Sequence, residues 1–162
     1  MSNWTSFNIY GKTYDVSHLQ PFDHVVTVDG QQVTLHVTFG HHCFTDQKEN
    51  GPLIYKKEGR YWSQERYECT HNLPKIIKEN IIHAYAVPYL NQKNNEQYHY
   101  LELKEYEYAI FFDVNRPENS TNRLKFKVVS AYERDKWGTA PKGSPKKISW
   151  ILSQRLKGMT AL

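Results

Sequence analysis

The chain has 162 residues, 39% apolar and 14% aromatic, with a formal net charge of +4. That length suits a single domain, 1–162, whose core needs no staple. No apolar run approaches the roughly 20 residues of a membrane helix, and Met1 to Tyr10 lacks both the basic and the apolar region of a signal peptide. A cytoplasmic protein without membrane contact is therefore expected, with Cys43 and Cys69 as thiols.

The charge is unevenly placed. Residues 133–162 hold seven Lys or Arg against two Asp or Glu, a net +5, while residues 1–132 sum to −1. The basic end reads as a phosphate-binding face or as a solvated tail and helix. There are no internal repeats and no low-complexity segments.

In chain order, Phe7 to Val16 alternates around Gly11-Lys12 and reads as a hairpin. His24–Val28 and Gln31–Phe39 flank Asp29-Gly30, a pair that tolerates positive φ and so marks a tight hairpin turn. In the second of these strands Val33, Leu35, Val37 and Phe39 share one face, and Thr34, His36 and Thr38 the other. Continued alternation would put His41 and Cys43 on the core side and His42 on the polar side. Thr45 to Trp62, with Gly51-Pro52 and Glu58-Gly59, reads as a long loop of the kind that often carries function.

Ser63 can cap a helical turn over Gln64 to Tyr67. Cys69, Leu73, Ile76, Ile77, Ile81 and Ala84 then follow helical spacing. Pro74 forces a kink or restart near Asn72, and the main helix is expected over Leu73–Tyr85, ended by Pro88. After a polar loop at Asn91–Glu96 a meander follows: Tyr98–Leu103, Tyr106–Val114 and Leu124–Arg134. Tyr106, Tyr108, Ile110, Phe112 and Val114 share a face, as do Leu124, Phe126, Val128, Ser130 and Tyr132. Ser144 as N-cap, Pro145 at the first position and Gly158 after the end frame a last helix whose stripe is Ile148, Ile151, Leu152 and Leu156. N-terminal β-hairpins, a central helix, an antiparallel meander and a C-terminal helix make an α+β domain.

Three chemistries fit the reactive residues. His41, Cys43, Cys69 and His71 form two short pairs that could hold zinc, although the usual spacing of structural sites is absent. Cys43 beside a histidine could serve as a nucleophile. The third is acid–base cleavage of RNA, which needs a base for the 2′-hydroxyl, an acid for the leaving oxygen and a cation for the phosphorane charge. Here His42 and His36 are the acid–base candidates, Arg66 and Arg134 the phosphate holders, and Tyr132 and Thr45 the groups that orient substrate. Lys142, Lys146 and Lys147, at the start of the last helix, fit a phosphate resting on its free N–H groups or simply solvent. The bland reading of each lone histidine is a satisfied surface residue.

His42-Cys43-Phe44-Thr45, Glu65-Arg66-Tyr67 with Leu73-Pro74-Ile76-Ile77, and Phe111-Phe112-Asp113 leading into Leu124–Asp135 together resemble a family of small proteins of mobile elements and prophages. The resemblance covers residues 7–137. The strand ending in Ser130-Ala131-Tyr132 is similar to the closing strand of the barnase–EndoU–colicin–RelE ribonucleases, in which a helix packs on an antiparallel sheet. The acid–base reading of the residues, taken with these resemblances, leads to the expectation of an RNA-cleaving or RNA-binding, toxin-like effector of a mobile element that needs no cofactor, with RNA and a host or antitoxin protein as partners. The alternative is a non-catalytic phage or plasmid protein that binds and blocks a host protein.

Overall fold

The computed structural model describes residues 4–91, 96–103, 108–133 and 143–159. Two short hairpins open it. Strands β1 (Ser6–Ile9) and β2 (Lys12–Asp15) turn through Tyr10 and Gly11, with φ of 50° and 83°. The turn thus sits one residue earlier than the sequence suggests. Strands β3 (Phe22–Val28) and β4 (Gln31–Phe39) turn through Asp29 and Gly30, at 52° and 76°. Two positive-φ residues make the turn whose twist matches the flanking strands.

The alternation expected in β4 holds. Val33, Leu35, Val37 and Phe39 are buried, while Thr34, His36 and Thr38 are only half-buried. It stops at Gly40, where the chain enters a 3-10 turn, His41–Cys43. The assignment of His41 to a core face and His42 to a polar face fails for that reason: a turn, unlike a strand, does not send successive side chains to opposite sides.

Thr45–Trp62 is not a loop. It forms a small antiparallel sheet of β5 (Thr45–Asp46), β6 (Leu53–Tyr55) and β7 (Arg60–Trp62), in the order β5-β7-β6. The strands are too short to show a period. Their anchors are aromatic: Phe44 and Trp62 are buried and pack against Trp4, Phe7 and Tyr14 of the N-terminal hairpin region.

Ser63 caps α1 (Gln64–Cys69), its Oγ accepting from Arg66 N at 3.2 Å. Helix α2 runs over Leu73–Asn80 with Pro74 in its first turn, as a restart near Asn72 requires. It stops earlier than expected. A 3-10 turn, Ile81–His83, keeps Ile81 buried, and strand β8 (Tyr85–Asn91) begins two residues later. Pro88 therefore lies inside a strand instead of ending a helix. Among the described residues β12 (Lys146–Lys147) covers only Ala86 and Tyr85, so Pro88 falls where β8 is an edge.

Strands β9 (Glu96–Leu103), β10 (Tyr108–Asn115) and β11 (Arg123–Glu133) complete a seven-stranded sheet in the order β12-β8-β9-β10-β11-β4-β3. The meander is antiparallel, but its last strand lies parallel to β4, with Leu124 opposite Leu35 and Phe126 opposite Val37. A bulge at Val129 resets β11, because Phe112 pairs with Val128 while Phe111 pairs with Ser130. Ala131, not Ser130, therefore joins the core after Val128.

Helix α3 (Ile148–Leu156) packs on β3, β10 and β11 through Ile148, Ile151 and Leu152, with Gly158 at a φ of 83° just beyond its end. It starts later than Ser144 and Pro145 imply. Lys146 and Lys147 are strand residues, and the Ile148 N–H is already given to Ala84 O at 2.9 Å. The mixed α+β architecture expected from the sequence is present.

Candidate functional site

The site forms where β4 leaves the sheet. Gly40 N donates to Val128 O at 2.9 Å, and a Cβ on Gly40 would stand 3.3 Å from Val129 O, so only glycine passes the bulge without displacing it. The 3-10 turn that follows sets His41 and His42 edge to face, with ring centroids 4.7 Å apart. Tyr55 of β6 stacks on His41 at 3.8 Å. A second 3-10 turn, Lys56–Glu58, closes on Gly59 in the left-handed region and brings Glu58 back to both rings. His41 Nε2 lies 2.5 Å from Glu58 Oε2, and His42 Nε2 lies 3.8 Å from Oε1.

Two arginines hold this turn. Arg60, buried, donates through Nη2 to Thr45 O at 2.6 Å and through Nε to Thr45 Oγ1 at 3.1 Å. Arg66 Nη1 donates to His42 O at 3.0 Å and to Thr45 O at 2.7 Å. Lys127 runs past Gly40 from β11. Burial, with Arg60 and the neighbouring His41 ring, pushes His42 down to about 4. Burial also lowers His41, against the opposing pull of Glu58. Both rings are thus held neutral near pH 7.

The structure brings His42, Thr45 and Arg66 together and adds His41, Glu58, Arg60, Tyr55 and Lys127. His36 stands in another group on the outer sheet face: its Nδ1 lies 2.8 Å from Asp23 Oδ1, and Arg123 Nη2 holds the same carboxylate at 3.1 Å. Tyr132 pairs with Ala109 at the end of β11. Arg134 and Lys142 lie outside the described residues. Lys146 sits over the Trp150 ring at 5.5 Å, and Lys147 precedes α3. The four-residue zinc set is not assembled: among the described residues the one group of three potential ligand residues within reach of a common ion is His41, His42 and Glu58. Cys43 is fully buried, its thiol pushed up to about 12 by desolvation, and His71 stacks instead on His18 at 4.6 Å. A thiol so placed is neither a ready ligand nor a nucleophile.

Sequence spacing does not single out Glu58, Arg60 or Lys127. They reach the histidines only through the small sheet and the parallel β4–β11 pair, and the Glu58-Gly59 turn is the sole local trace.

A family model described as the YjaZ family matches residues 6–156, so every residue of the site lies within the match. The chain belongs to the YjaZ family. No curated protein and no solved structure matches it. Among the described residues of this YjaZ-family chain, no helix is long and apolar enough to cross a membrane.

Proposed function

We propose that this site cleaves RNA by acid–base transfer without a metal, as an effector of a mobile element. The observation that carries the reading is the meeting of two imidazoles and one carboxylate beside Arg60, Arg66 and Lys127. His42 accepts the proton of the 2′-hydroxyl. His41 and Glu58, sharing one proton, return it to the leaving 5′-oxygen. Lys127 offsets the phosphorane charge.

A second feature favours a nucleic-acid substrate. Leu124, Phe126 and Val128 point into the core, so Arg123, Lys125 and Lys127 line the opposite face of β11. Across β4 they stand beside Thr34, His36 and Thr38. Cations every second strand residue repeat at about 6.6 Å and end at the histidines, which suits a phosphate backbone. The likeness of the β11 end to the barnase–EndoU–colicin–RelE ribonucleases points the same way.

The test is purified protein on single-stranded RNA in EDTA near pH 7. Cleavage should leave 2′,3′-cyclic phosphate ends, spare DNA, and fall about a hundredfold or more in His42→Ala and in Glu58→Gln. Intact RNA after long incubation at high protein would sink the reading. Intact RNA together with one stoichiometric protein captured from host extract would favour the host-blocking alternative.

A further inference from the structure

The hydroxyl of Thr45 biases where the protons of His41 lie. It has one proton, which it gives to His41 O at 2.9 Å. It accepts from Arg60 Nε at 3.1 Å, and its remaining lone pair faces His41 Nδ1 at 3.3 Å. With its own proton given to the His41 carbonyl, Thr45 favours the tautomer in which it accepts from that ring and Nδ1 carries the hydrogen. Nε2 of the neutral ring is then a bare lone pair, and it faces the Glu58 carboxylate at 2.5 Å. Two electron-rich atoms that close require a cation between them, either a proton or a metal ion.

The second histidine makes the metal the better match. His42 Nε2 turns to the other oxygen of the same carboxylate, and the three ligand atoms lie within 4.8 Å of one another. Ligand atoms of a tetrahedral zinc stand about 3.3 Å apart, given bonds of about 2.0–2.1 Å. The observed 2.5 Å and 3.8 Å bracket that value. A shift of about 1 Å reaches it, and Glu58, with its side chain 52% exposed, is free to make it. Thr45 does for His41 what an outer carbonyl or carboxylate does for a zinc-bound histidine: it holds the tautomer and the ring angle. Arg60 and Arg66 turn donors to the carbonyls of Thr45 and His42, which fixes the turn from behind.

We infer that His41, His42 and Glu58 bind one Zn²⁺ ion, with solvent in the fourth position. Imidazole and carboxylate donors suit zinc among the available divalent ions. The nearby cations lower the affinity, so micromolar binding is expected. Where the same rings serve as base and acid, an ion that takes their lone pairs inhibits cleavage; that consequence alone rests on the proposed catalytic function.

The experiment is calorimetric titration of chelator-treated protein with Zn²⁺, together with the visible spectrum of the Co²⁺ form. One ion per chain and a tetrahedral Co²⁺ spectrum are expected. His42→Ala and Glu58→Gln should each weaken binding at least tenfold with unchanged far-UV circular dichroism, while His71→Ala, in the separate His18 stack, should bind normally. No saturable binding, or equal binding in the Glu58→Gln and His42→Ala variants and the unaltered protein, overturns the inference. Zinc binding without RNA cleavage in EDTA would fault the catalytic reading and leave the metal site standing. Cleavage without zinc binding would do the reverse.

Discussion

Arg66 and His42 are joined through the main chain: the Arg66 guanidinium donates to the His42 carbonyl at 3.0 Å and, through the same nitrogen, to the Thr45 carbonyl at 2.7 Å. A helix capped by Ser63 thereby clamps a turn 24 residues earlier. This makes Arg66 a positioning residue for the histidines.

Arg66→Ala should cost about 2 kcal/mol of stability, the range for hydrogen bonds from a charged donor. Thermal unfolding checks this. If Arg66 only held phosphate, the midpoint would stay put and RNA affinity alone would fall.

The basic row on β11 should govern RNA affinity without touching the chemistry. Lys125→Glu should weaken binding of single-stranded RNA and flatten its dependence on salt, by about 0.7 in the log–log slope for each phosphate no longer neutralised. Filter binding at several salt concentrations reads both. An unchanged slope would remove β11 from the RNA path.

His99 should make the fold acid-sensitive. It is buried, its Nε2 accepts from Arg155 Nη2 at 3.2 Å, and its Nδ1 has no protein partner among the described residues. Burial and then Arg155 push it down to about 4, against the weaker pull of Asp113. The unfolded chain binds this proton near 6.5 and the folded one only near 4, so the stability it confers is full above pH 6.5 and is lost as pH falls to 4. The span is on the order of 3 kcal/mol. Urea unfolding at the two ends should show the loss, and His99→Gln, which keeps an acceptor for Arg155, should shrink it. An equal loss in the variant would assign the effect elsewhere.

The thiols should differ in reactivity. Cys43 is buried with Sγ 3.9 Å from Val128 O, whereas Cys69 is half-buried. A thiol reagent should label one cysteine per native chain and two after denaturation. Rapid labelling of both in the native protein would contradict the burial of Cys43.

Gly51 should be intolerant of a side chain. A Cβ there would stand 2.3 Å from the Trp62 carbonyl, inside the small sheet that carries Glu58 toward the histidines. Gly51→Ala should cost about 1–3 kcal/mol and weaken zinc binding as well. A variant of wild-type stability and affinity would show that the sheet relaxes freely.

The sequence by itself determined the long alternating strands, the Asp29-Gly30 turn, the Ser63 cap and the apolar stripe of α3. Each rests on a period or a turn conformation contained within about ten residues. Tertiary structure alone decided the rest. The Thr45–Trp62 sheet is held by distant aromatics, and Tyr85–Asn91 became a strand because β9 offered it a partner. The bulge at Val129 shifted the end of β11 by one residue. Above all, His41, His42 and Glu58 meet because Gly40 ends a strand and Gly59 closes a turn. A site that joins two adjacent histidines to a glutamate sixteen and seventeen positions further on leaves no local period, since what unites them is the packing of two turns against one bulged sheet.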